Sequence, residues 1–327
     1  MSTFPKRHIV CAIDDSPAAL AAAQWTARRW IGPDDAVTLL HVMRMTVDDG
    51  IHDRYAAFAA HADQLLERVA ATLSPLQVTR AAVVGVPAKA ISQYATEHAA
   101  TLVVLGHPAH GGVRGAFGSV VYSVLHSVAT PVLVGPPTIT PPTSGSLRIL
   151  VAVDGSPSAT AAAIWCNQWA ADHPATVELV TVMSDLTEYV GHIPGSSTPE
   201  WMPVVWGATN WYWMPSAITD VPWDAVQAEA EKQAAEIIDK TRALMPNCAI
   251  EAATITAGQP AAAILQEAHH FGADLIIMGR RGHSTLGNLL GSVSFAVLQH
   301  TPIPVVVVGD QTIAAHTDNP EHPKPNL

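Results

Sequence analysis

Short, continuously apolar segments alternate along this chain with longer stretches in which apolar residues recur every three or four positions. The first kind is typical of strands buried on both faces of a parallel sheet, and the second is typical of the helices that cover it. In the first half, strands are predicted at 8–13, 36–42, 76–84, 102–105 and 131–134, and helices at 17–30, 54–73, 87–99 and 119–128. In the second half, strands are predicted at 147–153, 175–182, 248–256, 274–278 and 304–308, and helices at 157–171, 224–244, 260–271 and 292–300. The alternation predicts an α/β fold with a doubly wound parallel sheet in each half.

The two halves are copies of one another. HIVCAIDDSPAALAAAQWTARRW, which starts at His8, returns as RILVAVDGSPSATAAAIWCNQWA, which starts at Arg148. Asp14 corresponds to Asp154 at an offset of 140 and Gly106 to Gly279 at an offset of 173, so the second copy has gained 33 residues. We therefore predict homologous domains at 1–135 and 147–309, a proline-rich linker at 136–146 and a disordered tail at 310–327.

The extra residues of the second copy fall at about 184–223 and hold five of the nine tryptophans of the chain. Long irregular loops in compact domains usually carry a function, and a tryptophan-rich composition argues against disorder. Three hypotheses stay open for this insertion: packing against its own chain or a second copy, a lid over a ligand, and a docking site for another protein. The five tryptophans are Trp201, Trp206, Trp211, Trp213 and Trp223.

Composition and charge exclude several classes of protein. A net charge of −11 without a basic block argues against a nucleic-acid partner, because such binding depends on Lys and Arg at phosphates. The sequence shows neither an apolar run long enough to cross a membrane nor a signal peptide, so we expect a cytoplasmic protein without membrane contact. The three cysteines, Cys11, Cys166 and Cys248, form no CxxC pair. We interpret them as buried thiols in a reducing compartment rather than as redox or metal groups.

No catalytic motif stands out, although the chain has sixteen histidines. His107 and His110 lie on a glycine-rich turn and His269 and His270 are adjacent on a helix, which is poor spacing for a metal site. GxSxG, HExxH and a full Walker A sequence are all lacking. We therefore expect no enzyme and no metal site, and at most weak nucleotide hydrolysis.

Two kinds of residue follow the predicted strands, where ligands bind in open parallel sheets. Asp14 and Asp154 end the first strand of each copy, and each precedes a Ser-Pro pair that suits a helix start. In the second copy the fourth strand leads into Gly279-Arg280-Arg281-Gly282 and then Gly291-Ser292. Backbone N–H groups at such a turn and helix start can hold an anion such as a phosphate, although a glycine-rich connection without a ligand is the alternative.

Together these features resemble the tandem form of the universal stress protein family, over nearly the whole chain except the linker, insertion and tail. The resemblance implies a strand order of 3-2-1-4-5, pairing of the last strands between domains and, in many members, bound ATP, with or without magnesium. It places the adenine near Ala152, Asp154 and Val182. It places the ribose and phosphates near Met278, Gly279, Gly282, Gly291, Ser292 and Val293. The implied function is a stress-response protein regulated by an adenine nucleotide; the alternative is a nucleotide-independent interaction module that acts through the insertion.

The first copy departs from the family pattern in its glycine loop. Ala109 stands where the second glycine of GxxG is expected and Pro108 precedes it, which restricts the turn. Both copies also have eight residues rather than nine before Gly-Ser, and Gly111, Gly112 and Gly115 offer an alternative loop. The remaining first-copy site residues are Asp14, Val42, Gly106, Gly118 and Ser119. We expect the nucleotide chiefly in the second half.

The last strand of each half, at Val132–Val134 and Val305–Val308, is an apolar sheet edge. An exposed edge of this kind invites pairing unless something covers it. A linker of eleven residues can extend to roughly 35 Å, which is enough to join adjacent domains. We therefore predict that the two halves associate through these strands as an intrachain pseudo-dimer, and a homodimer of chains stays open.

Overall fold

The computed structural model describes residues 7–32, 34–44, 51–107, 118–136, 146–183, 222–282 and 290–312. The strands of the first half are β1 (His8–Ala12), β2 (Ala36–Met43), β3 (Val78–Val84), β4 (Leu102–Gly106) and β5 (Val132–Gly135). Its helices are α1 (Pro17–Arg29), α2 (Ile51–Thr72), α3 (Pro87–Glu97) and α4 (Ser119–Ser127). The predicted elements of this half are all present, with bounds within three residues of those expected.

The second half repeats the same order of elements. Its strands are β6 (Leu147–Ala152), β7 (Ala175–Met183), β8 (Ala249–Ala257), β9 (Leu275–Gly279) and β10 (Val305–Val308). Its helices are α5 (Pro157–Ala170), α6 (Trp223–Ala243), α7 (Pro260–Phe271) and α8 (Ser292–His300). Most residues of the predicted linker, insertion and tail lie outside those described, so the predictions for these segments stay predictions. Thr312, three residues into the predicted tail, is buried and donates a hydrogen bond to the Ala129 carbonyl at 2.9 Å.

All ten strands form one sheet in the order β3-β2-β1-β4-β5-β10-β9-β6-β7-β8. Pairing is parallel within each half, which confirms the predicted order 3-2-1-4-5 in both. The halves join through an antiparallel pair, in which Val305 lies opposite Val134 and Val307 opposite Val132. The predicted pairing of the final strands is therefore confirmed, and the two apolar edges cover one another.

A cluster of stacked tryptophans strengthens this junction on one face of the sheet. The ring of Trp30, after α1, stacks on Trp169 of α5 with centroids 3.8 Å apart, and Trp165 follows at 5.5 Å. The Trp169 Nε1–H donates to the Trp30 carbonyl at 3.4 Å. Trp25 and Trp165, which occupy equivalent positions on the first helix of each half, are both buried here. Large aromatic surfaces removed from water contribute strongly to the association of the two halves.

The helices within the described ranges are too short or too polar to span a lipid bilayer. They cover both faces of the sheet, as the nearly continuous apolar strands require. One layer contains α1 and α5, and the opposite layer contains α4 and α8. In the first half, the carboxyl ends of β1 and β4 lead to the starts of α1 and α4. In the second half, those of β6 and β9 lead to the starts of α5 and α8.

Candidate functional site

The two strand-end aspartates organise the starts of α1 and α5. Asp14 Oδ1 accepts a hydrogen bond from the Ser16 N–H at 3.0 Å, and Asp154 Oδ1 accepts the equivalent bond from Ser156 at 2.9 Å. Ser16 and Ser156 in turn cap their helices, with Oγ accepting from the third residue along at 3.2 and 3.3 Å. The Ser-Pro pairs therefore act as helix starts, as their sequence indicates, and the carboxylates hold the preceding turn in place.

Gly106 and Gly279, which end β4 and β9, have a packing reason to be glycine. A Cβ on Gly106 would lie 2.2 Å from the Ala19 nitrogen, and one on Gly279 would lie 2.6 Å from the Ala159 nitrogen. The backbone of α1 or α5 occupies that space, so a side chain would require the helix to move. These two glycines are explained by helix packing alone and do not distinguish a ligand site from an empty turn.

Gly282 differs from these two glycines because its neighbour is a candidate site residue. A Cβ on Gly282 would lie 2.8 Å from Oδ2 of Asp154. Gly291 joins the same region: its N–H donates to the Arg280 carbonyl at 2.9 Å, and it caps α8, whose first residue is Ser292. The structure thus brings Asp154 next to the region of Gly282, Gly291 and Ser292, which lies far from it in the chain. Their neighbourhood consists of a carboxylate, a glycine turn and the N–H groups of a helix start.

Two serines, the N-cap of α5 and a residue of its first turn, hold the glycine turn from the other side. The hydroxyls of Ser156 and Ser158 both donate to the Arg281 carbonyl, Ser156 at 3.2 Å. The Arg281 N–H donates back to Ser158 Oγ at 3.2 Å. Sequence reasoning missed Ser158, although one signal existed: the first copy has Ala18 at the equivalent position. The turn of the second half is therefore anchored by a side chain that the first half lacks.

The apolar residues expected beside an adenine lie on one face of the sheet. Ala152 of β6 is paired with Met278 of β9, and both are buried. Val182 of β7 and Val293 of α8 are partly buried and pack against the same apolar cluster. Of these four residues, Val182 and Val293 keep part of their surface exposed on the face of the sheet where Ala152 and Met278 are buried.

In the first half, the corresponding edge opens into a cavity of about 580 Å³. This volume lies in the range of small-molecule sites. The lining includes every first-copy site residue predicted from the sequence: Asp14, Val42, Gly106, Gly118 and Ser119. Phe58, His41 and His61 line it as well and were not anticipated. Residues 108–117, with Pro108, Ala109, His110, Gly111, Gly112 and Gly115, lie outside the described residues.

The two arginines of the glycine turn have polar partners within the protein. Arg280 is buried, and its Nη2 donates to the Val128 carbonyl at the end of α4 in the first half. Burial is the main cause that lowers the Arg280 pKa to about 10. Arg281 instead pairs with Asp310 at 3.0 Å. In the part of the chain that the structure covers, histidines, cysteines and carboxylates form no group of three suited to a metal ion.

The sequence model of the universal stress protein family matches residues 6–136 and 209–309, which is more than half of the chain. The chain belongs to the universal stress protein family. The second match begins inside the insertion and leaves out β6, α5 and β7, which the structure nevertheless places as it places β1, α1 and β2. The expected tandem organisation is thus confirmed.

Curated relatives and solved structures agree with this assignment. A universal stress protein of Mycobacterium tuberculosis is 27% identical over 323 residues, covering 94% of this chain and 99% of its own. A shorter relative from Bacillus subtilis is 37% identical over 87 residues, covering 26% of this chain and 59% of its own. A crystal structure of a universal stress protein from Archaeoglobus fulgidus aligns with a TM-score of 0.64 at 19% identity, covering 94% of this chain and all of the other, which supports the fold.

Proposed function

We propose that this universal stress protein binds an adenine nucleotide at the carboxyl edge of each half-sheet and acts in stress response as a nucleotide-regulated protein. The observation that carries the proposal is the first-half cavity of about 580 Å³, which gathers all five residues chosen for that half from sequence. An apolar wall with a few polar groups at one end suits a flat base joined to charged phosphates. The second half has the same strand ends and helix starts in the same topology.

We further propose that the second half binds the nucleotide more tightly. Its turn has the complete GxxG sequence, whereas the first half has Ala109 at the second position. The absence of a side chain at Gly282, beside Asp154, leaves room for close approach to the backbone. The start of α8 at Ser292 offers N–H groups and a hydroxyl to phosphate oxygens. If the ligand is ATP, magnesium would enter bound to its phosphates.

The nucleotide acts in this proposal as a regulatory ligand rather than as a substrate. The serines and the arginines at the glycine turn of the second half are engaged in holding the turn and the junction between the halves. These side chains hold the turn and do not supply a catalytic group. A nucleotide bound beside them can change the conformation of the protein only if its contacts differ between two conformations. A resident nucleotide that sets the conformation or the partner of the tandem domain fits this arrangement.

Isothermal titration calorimetry of the purified chain with ATP tests the proposal. Gly282→Val and Asp154→Ala should each weaken binding at the second-half site, and Asp14→Ala should affect only a weaker site. Asp239→Ala, an exposed aspartate on α6, is the matched control and should leave binding unchanged. Native mass spectrometry should also find an adenine nucleotide in the purified wild type. Unchanged ATP affinity in both second-half variants would reject the second-half preference, and no binding by the wild type would reject the function itself.

A nucleotide-independent interaction module is the competing function. The concentration of tryptophan in the insertion at about 184–223 is the observation that favours it. Deleting residues 190–218 separates the two. If the deletion leaves ATP affinity intact and abolishes an oligomeric state or a cellular partner, the insertion serves as an interface. If the deletion instead weakens ATP binding, and wild-type tryptophan fluorescence responds to ATP, the insertion serves as a lid.

A further inference from the structure

Two of the three cysteines meet in the second half, although they are far apart in sequence. Cys166 lies on α5, and Cys248 lies between α6 and β8, immediately before Ala249. Their thiols are close enough for each to change the acidity of the other. Cys248 also packs against the apolar cluster that contains Cys166. Neither is in a disulfide, so the structure holds a reduced dithiol pair.

The residues that follow and precede these cysteines fix the pair in place. The Asn247 N–H donates to Oδ1 of Asn167 at 2.7 Å, and the Asn247 side-chain amide donates to the Asn167 carbonyl at 3.4 Å. Asn167 follows Cys166 and Asn247 precedes Cys248, so two hydrogen bonds clamp the neighbours of the two thiols. The Cys248 N–H is held as well, donating to the Met245 carbonyl at 3.1 Å. The proximity of the thiols is therefore built into the contact between α5 and the start of β8.

The two thiols differ in access and acidity. Cys166 is fully buried, whereas Cys248 is only partly buried. The interaction with the Cys166 thiol favours the Cys248 thiolate and lowers the Cys248 pKa, against the effect of burial. The same interaction, together with burial, raises the Cys166 pKa. The more acidic and more accessible sulfur is the one that reacts first with an oxidant, and its buried neighbour is placed to close a bridge.

We propose that Cys248 and Cys166 form a reversible redox pair, in which a hydroperoxide oxidises Cys248 and Cys166 closes a disulfide. The Cys248 thiolate attacks one peroxide oxygen, the O–O bond breaks, and the departing oxygen takes a proton, leaving a sulfenic acid on Cys248. The Cys166 sulfur then attacks the Cys248 sulfur, the S–O bond breaks, and the oxygen leaves as water with the proton of the Cys166 thiol. Two thiols and one hydroperoxide thus give one disulfide, one water and one alcohol, or two waters when the oxidant is hydrogen peroxide.

Cys11 provides a control within the same chain. It is the third cysteine of the sequence, lies on β1 and is fully buried. Burial raises the Cys11 pKa to about 12, so its thiol stays protonated at neutral pH. A buried thiol without thiolate character reacts poorly with a peroxide from solution, whereas Cys166 has only to attack the sulfenic sulfur beside it. We therefore expect Cys11 to survive oxidant concentrations that convert the pair. The contrast between Cys11 and Cys248 therefore separates a specific reaction from general oxidation of an unfolding protein.

The test uses the full chain treated with hydrogen peroxide, followed by non-reducing peptide mapping. The wild type should lose about 2 Da, the two hydrogens removed on disulfide formation, and should yield one peptide joining Cys166 to Cys248. A thiol reductant should reverse both changes. In Cys166→Ala, a sulfenic acid should persist on Cys248 and be captured by dimedone. Cys248→Ser should leave Cys166 unmodified, and Cys11→Ser should behave as the wild type.

Three results would overturn the proposal. They are the absence of the Cys166–Cys248 peptide after treatment, oxidation of Cys11 as fast as that of Cys248, and conversion of wild-type Cys248 to sulfinic acid without a bridge. We expect Cys248 to react at least about tenfold faster than Cys11. The peptide map of the wild type decides the question even if a variant fails to fold. None of these measurements involves a nucleotide, so the redox pair stands or falls independently of nucleotide binding.

Discussion

His126 of the first half accepts a hydrogen bond from the backbone N–H of Leu290 in the second half, with Nε2 and nitrogen 2.9 Å apart. The other ring nitrogen, Nδ1, lies 2.7 Å from the Tyr122 carbonyl within α4, to which it donates. These contacts fit the tautomer that carries its proton on Nδ1, because Nε2 needs its lone pair for Leu290. Leu290 directly precedes Gly291 and Ser292, so a helix of one half contacts the residue that leads into α8 of the other half.

The same helix begins at its own candidate site. Gly118 caps α4 and Ser119 is its first residue, and both line the first-half cavity. At its other end, the Val128 carbonyl accepts the hydrogen bond from Arg280. One helix of nine residues therefore contacts the candidate site of its own half at its start and the glycine turn of the other half at its end. The two halves are therefore connected through α4 as well as through the pairing of β5 with β10.

Replacing His126 should loosen this connection. His126→Ala removes the acceptor of the Leu290 N–H, and we expect a loss of about 1 kcal/mol in the free energy of unfolding. ATP affinity at the second-half site should fall with it, by roughly twofold to tenfold. His126→Gln should lose less stability and less ATP affinity than His126→Ala, because a glutamine carbonyl can accept the same hydrogen bond. Denaturant unfolding and calorimetry measure the two effects.

His300→Ala is the matched control for the His126 variants. His300 ends α8, is exposed, and hydrogen-bonds the Ala296 carbonyl within its own helix at 2.8 Å. Removing it should leave stability and affinity almost unchanged. Two results would contradict this prediction: His126→Ala as stable as the wild type, or His300→Ala losing as much unfolding free energy as His126→Ala. Either would mean that the Leu290 contact does not stabilise the start of α8.

The glycines that end β4 and β9 should tolerate no side chain. Gly106→Ala and Gly279→Ala each place a Cβ against helix backbone, at 2.2 and 2.6 Å, and we expect losses of about 2 kcal/mol or more in unfolding free energy. Gly85→Ala is the control, since its Cβ would meet only the Ala90 side chain at 3.3 Å. A thermal melt of the three variants in the absence of nucleotide suffices. If Gly106→Ala or Gly279→Ala loses little stability, helix packing does not require glycine at that position, and ligand binding would have to explain it.

Much of this architecture is predictable from sequence because it is local or repeated. Apolar periodicity determines the strands and helices one segment at a time, and the internal repeat then applies one strand order to both halves. The apolar last strands predict their own pairing, because a valine-rich edge must be covered. The candidate site follows from strand ends and helix starts, which Ser-Pro and Gly-Ser pairs mark directly.

What the sequence does not reveal are the contacts that break the repeat. Trp30 and Trp169 stack across the junction, yet neither has a tryptophan at the equivalent position of the other copy. Arg280 looks like a phosphate ligand by its place in the turn, and the structure turns it toward Val128 instead. Cys166 and Cys248 meet only because α5 packs against the start of β8. Such contacts depend on the relative placement of distant elements, on which periodicity and spacing carry no information.

The junction between the halves should survive cleavage of the linker. Strand pairing of β5 with β10, the stacking of Trp30 on Trp169 and the Arg280–Val128 hydrogen bond all act without a covalent connection. A protease site introduced within residues 137–145 should therefore give two fragments that elute together in size-exclusion chromatography at micromolar concentration. Trp30→Ala combined with cleavage should promote their separation, since removing a buried tryptophan costs about 3–5 kcal/mol. Separate elution of the cleaved wild-type halves would show that the linker holds them.

His173 should make stability depend on pH near neutrality. Its ring lies at the junction, with Nδ1 3.2 Å from the Trp169 carbonyl and both ring nitrogens 3.3 Å from Nη2 of Arg7. Burial, and then the positive charge of Arg7, lower the His173 pKa below its ordinary value of 6.5, despite the opposing effects of the Trp169 carbonyl and nearby aspartates. The unfolded chain therefore binds a proton at this ring more readily than the folded chain does.

The direction of the effect follows from this difference in proton binding. Above pH 6.5 the ring is mostly neutral in both states, and its contribution to stability is fully present. As the pH falls through 6.5 toward the lowered pKa, the unfolded state takes up the proton first, so the free energy of unfolding declines. His173→Gln has no proton to bind and should lose less stability than the wild type between about pH 7.5 and pH 5. His300→Gln, on the exposed end of α8, should keep the wild-type dependence. Urea unfolding at several pH values measures all three, and parallel curves for His173→Gln and the wild type would mean that protonation of this ring does not oppose the junction.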